Sequence, residues 1–219
     1  MKYSKDGLVN FDENRHIYKL GEKTLTSVTQ YISKYKPVFE SDLIAEKYAN
    51  KHGLNKQDVL SLWNKKAIES CEMGTFVHKI FEDYILGNKI LLNDKYLKCN
   101  TAIKFIEDFF ENERLIPVET EYIVYNDELA GQIDCIAKNK LNEYFILDWK
   151  TNNDIKYSNQ WQNMIGIYNH LSNCNFNHYS IQLGIYKKLC KEYNIKDCFI
   201  VHLKDLDYDI IKIDKNIFK

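Results

Sequence analysis

The chain has 219 residues, a formal net charge of -1 and a hydrophobic fraction of 45%, which predict one soluble globular domain. The near-neutral charge excludes a strongly basic protein, so any contact with nucleic acid must come from a local patch. The sequence has no apolar run of membrane-spanning length and no signal peptide, which predicts a soluble intracellular protein. The six cysteines lack C-x-x-C spacing, which predicts reduced thiols and no zinc or iron–sulfur site.

The N-terminal part is predicted to be a small hairpin followed by two short helices. Residues 9–26 contain short apolar segments around turn residues and favour the hairpin. Thr26 or Ser27 can cap a first helix, which Pro37 ends. A second helix is expected over 41–51.

Helical spacing of apolar residues continues through the next 60 residues or so. It predicts helices over 55–73, 74–86 and 92–114. His78 and Glu82 are four residues apart, so they lie one above the other on the second of these helices. A histidine beside an apolar stripe can be either a core residue or a ligand, and spacing alone leaves both open.

A strand is predicted over 117–125. Strict alternation would place Glu119 and Glu121 on the same face of this strand, together with Ile123 and Tyr125. Either acid could therefore face a site on the neighbouring hairpin.

The segment Leu129–Thr151 is predicted to form two strands of one hairpin around which the chain is organised. Asp148 and Lys150 share a face of the second strand, and Trp149 points to the other. Pairing within the hairpin can bring Asp134 beside them. Two carboxylates near an ammonium at a strand end suit a divalent cation, for which Mg2+ prefers oxygen ligands.

The remainder is predicted to contain a helix over 160–172, a helix over 178–193, and closing strands at 198–204 and 207–213. Gln182 and Tyr186 are one turn apart on the second helix, where the tyrosine could stack on an unpaired base. Lys187 follows and could meet a phosphate. The fold class expected is α/β, a mixed central sheet flanked by helices.

The motifs G-T-x-x-H-x-x-x-E, L-A-G-Q-I-D, L-D-W-K-T and Q-x-x-x-Y occur in this order, after an opening H-x-Y-x-L-G segment. Together they resemble the RecB-type branch of the PD-(D/E)XK nuclease superfamily, and most of all the phage-encoded and mitochondrial genome maintenance exonucleases. The resemblance covers roughly 8–205 and is strongest over 74–186. It implies a restriction-endonuclease-like core in a single domain over 1–219, with an N-terminal helical part at 26–114 and a catalytic core at 74–205. The CRISPR-associated exonucleases and the RecB-type helicase-nucleases share these motifs, but many of them carry a four-cysteine cluster that this chain lacks.

The resemblance also implies a metal-dependent deoxyribonuclease. In such an enzyme His78, Asp134 and Asp148 would ligate Mg2+ or Mn2+, helped by the backbone carbonyl of Trp149. Lys150 would orient the attacking water. The other implied site residues are Glu121, favoured over Glu119 by its E-x-x-V-Y spacing, then Glu82 for a second metal or for orienting His78, and Gln182, Tyr186, Thr151 and Lys187 for substrate.

The expected substrate is DNA, degraded from single-stranded ends during replication, recombination or repair, in the cytoplasm of a bacterial host if the chain is phage-encoded. Two alternatives are a structure-specific or restriction-like endonuclease and a DNA-binding module that has a nuclease fold but no turnover. Cleavage of a circular substrate would separate an endonuclease from an exonuclease.

Overall fold

The computed structural model describes residues 1–93 and 95–214. Within these residues, nine strands form one mixed sheet and helices pack against both of its faces, as the predicted α/β class requires. The strands are β1 (Lys2–Tyr3), β2 (Val9–Asp12), β3 (Ile17–Leu20), β4 (Lys23–Ser27), β5 (Ile116–Tyr125), β6 (Leu129–Lys138), β7 (Tyr144–Lys150), β8 (Ile195–Leu203) and β9 (Tyr208–Lys212). The helices are α1 (Val28–Ser33), α2 (Ser41–His52), α3 (Lys56–Ile85), α4 (Lys98–Phe105) and α5 (Asn175–Leu189).

The sheet forks at β6. Its order is β1-β2-β3-β4-β6-β7-β8-β9, and β5 pairs with the other edge of β6 along almost its whole length. On the forked edge, β4 pairs in parallel with Leu129 and Ala130, whereas β7 pairs in antiparallel fashion from Cys135 onwards. Between these points, 131–134 have no strand partner on that edge in the described part of the chain. The fork therefore leaves room for side chains at the centre of the sheet.

Two apolar layers enclose the sheet, and β7 contributes to both. Ile146 packs into the layer beneath α1 and α5, while Leu147 and Trp149 pack into the layer beneath α3 and α4. These are the faces that strict alternation predicts, so this prediction is confirmed. Trp149 is only 1% exposed and stacks on Phe81 of α3, with ring centroids 3.9 Å apart. Full burial of such a ring stabilises the fold by about 1.5–3 kcal/mol, and it fixes α3 against β7.

The first helices follow their predicted caps. Ser27 accepts a hydrogen bond from the backbone N–H of Gln30, whose side chain accepts one from Ser27 N–H in return. This capping box starts α1. The predicted helices over 55–73 and 74–86 are one continuous helix, α3, so the boundary at Gly74 is wrong. A glycine inside a helix costs only about 1 kcal/mol, and the packing of α3 outweighs that cost.

Two other helix predictions need correction. The helix predicted over 92–114 begins only at Lys98. Before it, Asn93 accepts a hydrogen bond from the backbone N–H of Lys95, and Asp94 lies outside the described residues. After α4 the chain continues as a π-helix, Ile106–Glu111.

The predicted helix over 160–172 is also wrong, because only Gly166–Tyr168 forms a short 3-10 turn. Asn159 caps the N–H of Trp161, and Asn163 bridges to Ser172, so this polar segment satisfies its backbone without a helix. The last helix and the two closing strands form as predicted, within a few residues. In the part of the chain described, no helix has the length and apolar character needed to span a membrane.

Candidate active site

An open cleft of about 1210 Å³ lies at the fork of the sheet. Its walls come from the N-terminal hairpins, α3, β5, β6, β7 and α5. Eight of the predicted site residues line it: His78, Glu82, Glu121, Asp134, Asp148, Lys150, Gln182 and Tyr186. Residues that are more than 100 positions apart in the sequence therefore meet at one place.

Three of these side chains form a group that could hold a metal ion. His78, Glu121 and Asp134 each offer one ligand atom, and the three atoms lie within 4.8 Å of one another. The predicted ligand set differs from this group, because it contains Asp148 instead of Glu121.

Asp134 lies in the gap between β4 and β7 and takes over the role of a strand partner. Its Oδ2 accepts the backbone N–H of Trp149 at 2.8 Å, and its Oδ1 lies 3.7 Å from Nδ1 of His78. Burial, together with the nearby charge of Asp148, raises the pKa of Asp134 to about 8. A bound cation would relieve this repulsion.

Glu121 reaches the cleft through an irregularity in β5. Its φ is +52°, in the left-handed region that non-glycine residues rarely adopt. Gln132 donates a hydrogen bond to the Glu121 carbonyl at 3.1 Å and holds this turn of the backbone. Burial and the charge of Asp134 raise the pKa of Glu121 to about 7.

The two acids of β5 have different surroundings, contrary to what strict alternation predicts. Glu119 binds Lys5 at 2.9 Å and accepts a hydrogen bond from the hydroxyl of Tyr193, away from the cleft. The positive φ of Glu121, together with a register shift between Pro117 and Glu119, breaks the strict period of two. Glu121, and not Glu119, is therefore the acid of β5 that lines the cleft.

His78 is held in place by a hydrogen bond to the backbone of β7. Its Nε2 lies 3.2 Å from the carbonyl oxygen of Trp149, to which it donates when that nitrogen carries the proton. This tautomer leaves the Nδ1 lone pair on the side of Asp134. Burial and the charge of Lys150 lower the pKa of His78, which favours the neutral, ligating form. The Trp149 carbonyl, predicted as a metal ligand, is already engaged by His78.

Asp148 and Lys150 form an ion pair inside the cleft. The side chain of Asp148 is 3% exposed and that of Lys150 is 17% exposed. Burial alone would lower the pKa of Lys150, but the carboxylates of Asp148 and Asp134 outweigh it and raise the value. Lys150 also lies 4.9 Å from the ring centre of Tyr179, a contact that no sequence motif indicated.

Gln182 and Tyr186 contact each other on α5, where the Gln182 amide donates to the Tyr186 hydroxyl at 3.0 Å. Tyr186 is 4% exposed, and a Cβ at Gly131 would overlap its ring. Gly131 therefore permits a close approach of β6 and α5. A ring enclosed in this way offers a base little surface, so the position of Tyr186 does not support the stacking role, which stays a prediction.

Thr151 and Lys187 are not among the described residues that line the cleft. The Thr151 carbonyl accepts a hydrogen bond from Lys98 at 2.6 Å, and its hydroxyl lies near Gly74 of α3. Lys187 donates to the carbonyl of Lys196 at 2.8 Å, in β8. The predicted phosphate contact of Lys187 is therefore not supported by its position.

One cleft residue had no signal in the sequence. Lys2, in β1, places its ammonium 3.1 Å from Glu82 and 3.5 Å from Glu121. Because 80 and 119 positions separate Lys2 from these partners, no local pattern could connect them.

All six cysteines have free thiols, and five of them are buried. That the protein holds no iron–sulfur cluster stays a prediction.

We expect His78→Ala to weaken Mn2+ binding about 10–100-fold, because a nitrogen ligand and its hydrogen bond to Trp149 are both lost. The measurement is a Mn2+ titration by calorimetry. His178→Ala is the matched control, since that ring bonds Asn173 outside the cleft. An unchanged Mn2+ affinity in His78→Ala would return His78 to a purely structural role.

Comparison with known proteins adds little to this geometry. No family model and no curated protein matches the chain. Among solved structures, the crystal structure of SSO0001 is similar to it at 16% sequence identity with a TM-score of 0.37, covering 90% of this chain and 69% of that one. A similarity this low carries no information on activity.

Proposed function

We propose that the protein is a metal-dependent DNA nuclease with a restriction-endonuclease-like core, acting on single-stranded ends. The observation that carries this proposal is the arrangement at the fork. The group of His78, Glu121 and Asp134 faces the same cleft as the buried Asp148–Lys150 pair. The resemblance to the PD-(D/E)XK superfamily rests on the same residues, and it supports the same function.

The donor set fits a Mg2+ or Mn2+ ion. Two carboxylates supply hard oxygen ligands, and one imidazole supplies a nitrogen that Mn2+ accepts more readily than Mg2+. Burial is the main cause of the raised pKa values of Asp134 and Glu121, and the positive charges of Lys150 and Lys2 offset it only in part. A divalent ion bound here would supply an activated water and stabilise charge on the phosphate.

The protein's own side chains have separate tasks in this proposal. Lys150 keeps its proton, so it can donate hydrogen bonds to the attacking water or to a phosphoryl oxygen. Asp148 holds Lys150 in place through their ion pair. The Trp149 backbone aligns Asp134 through its N–H and His78 through its carbonyl, so one peptide orients two ligands.

A single-stranded substrate is favoured by the walls of the cleft. Phe76 and Tyr96 line it with ring centroids 6.0 Å apart, and both are half-buried. Unpaired bases can stack on such rings, an interaction worth about 1–3 kcal/mol per base. Lys79 also lines the cleft and can meet the backbone phosphates.

The test is digestion of end-labelled linear DNA and of circular DNA, each single- and double-stranded, with Mg2+, Mn2+ or EDTA. We expect linear single strands to be shortened from an end in Mg2+ or Mn2+, with circles intact and EDTA abolishing the reaction. Cleavage of circles would identify the endonuclease alternative. Binding of DNA without cleavage under every condition would identify the non-catalytic alternative.

A further inference from the structure

The ammonium of Lys2 is surrounded by three carboxylates at the edge of the candidate metal site. Its Nζ lies 3.1 Å from Glu13, 3.1 Å from Glu82 and 3.5 Å from Glu121. The side chains of Glu82 and Glu121 are less than one fifth exposed, so these are not pairs on an open surface. Glu121 also belongs to the group with His78 and Asp134.

This arrangement gives Lys2 the surroundings of a bound cation. Oxygen atoms of three acids converge on one positive charge, and three carboxylates are the kind of ligand that Mg2+ and Mn2+ prefer. A lysine side chain carries its positive charge at neutral pH. Lys79 binds the other oxygen of Glu82 at 3.0 Å.

Resting on the proposed metal-dependent function, we propose that Lys2 is a built-in cation that limits the centre to one divalent ion. Its ammonium fills the position between Glu82 and Glu121, next to the ion expected at His78, Glu121 and Asp134. Lys2 is thus a specificity-determining residue for the number of ions. Two ammonium–carboxylate contacts link β1 to α3 and to β5 at this position.

Removal of the Lys2 charge should open this position to a second divalent ion. Lys2→Met keeps most of the aliphatic stem and removes the ammonium. Lys2→Gln is a second uncharged variant, with a shorter stem and a polar end. Lys2→Arg retains the charge and should behave as the wild type. Lys5→Met is the matched control, because Lys5 is the next lysine along the chain and pairs with Glu119 and Glu192 away from the cleft.

The measurement is the number of Mn2+ ions bound per chain, counted by electron paramagnetic resonance at pH 7.5 with any purification tag at the C terminus. We expect one ion in the wild type, Lys2→Arg and Lys5→Met. In Lys2→Met and Lys2→Gln we expect two, with the spectrum of a magnetically coupled pair. Melting curves verify that each variant is folded, which is expected because β1 pairs with β2 at only two positions.

The outcomes separate this inference from the proposed function. Two ions in the wild type, or one ion with unchanged affinity in both Lys2→Met and Lys2→Gln, would overturn the inference. A wild type that binds one Mn2+ but cleaves no DNA would overturn the proposed function alone, since ion counting does not depend on turnover. A wild type that binds no Mn2+ would overturn both.

Discussion

Lys150→Met should reduce DNA cleavage about 100- to 1000-fold, while the protein continues to bind Mn2+. Lys150 is the charged donor of the Asp148–Lys150 pair, and it lies beside the group of His78, Glu121 and Asp134 without being able to ligate a metal. Removing one preorganised donor to a developing negative charge typically costs this much in rate. The measurement is cleavage of labelled single-stranded DNA at saturating Mn2+, alongside a Mn2+ titration.

Loss of Lys150 also has a cost in stability, which must be separated from the loss of chemistry. Asp148 would be left buried without its partner, and breaking a buried pair in this way costs about 3–5 kcal/mol. The double variant Lys150→Met/Asp148→Asn removes that unpaired charge, so it should recover stability but not activity.

Lys212→Met is the matched control for the Lys150 experiment. Lys212 pairs with the buried Asp197 at 2.8 Å, in the β8–β9 hairpin outside the cleft. It should lose stability but cleave DNA normally at a temperature where it is folded. Near-normal turnover in Lys150→Met would contradict the role assigned to Lys150.

The structure at the centre of the fold could be predicted from the alternation of buried side chains along β7. Ile146, Leu147 and Trp149 alternate as a strand buried on both faces must, and the structure places them accordingly. The same alternation puts Asp148 and Lys150 on one face, where they form an ion pair. Where two residues are close in sequence and regular in conformation, their relation in space could be predicted.

Other features of the site depend on backbone irregularities and long-range contacts that local patterns do not contain. The positive φ of Glu121 separates it from Glu119, and nothing in the residue types around it indicates such a turn. The burial of Tyr186 depends on the close approach of Gly131, 55 positions away on another element. Lys2 meets Glu82 and Glu121 only because the chain folds back on itself.

Asp134→Asn should strongly reduce metal-dependent cleavage and yet make the metal-free protein more stable at pH 8. The amide keeps an oxygen that can accept the Trp149 N–H, but it removes the charge that burial and Asp148 disfavour. Loss of one anionic ligand should weaken Mn2+ binding and reduce cleavage about 100-fold or more. The same substitution would therefore raise the stability of the metal-free protein and lower its nuclease activity.

The sign of the pH dependence follows from the pKa of Asp134, which is about 8 in the folded protein against an ordinary value of 3.8. Between these values the folded chain holds a proton that the unfolded chain releases. The contribution of this group to the stability of the metal-free wild type is thus present below about pH 4 and is lost as the pH rises towards 8. The amide of the Asp134→Asn variant does not titrate, so the advantage of the variant should grow across this window.

Melting curves of the wild type and Asp134→Asn at pH 5 and pH 8, with EDTA or with Mn2+, test this prediction. In EDTA at pH 8 we expect the variant to be more stable by about 2 kcal/mol or more, which for a chain of this size is a rise of about 4–8 °C in Tm. At pH 5 the gap should be smaller. Mn2+ at a hundred times its wild-type Kd should stabilise the wild type by about 2.7 kcal/mol and the variant by much less, so the advantage of the variant should shrink by most of that amount. A variant that melts below the wild type in EDTA at pH 8 would show that the Asp134 carboxylate stabilises the empty site, and a cation at His78, Glu121 and Asp134 would lose its electrostatic support.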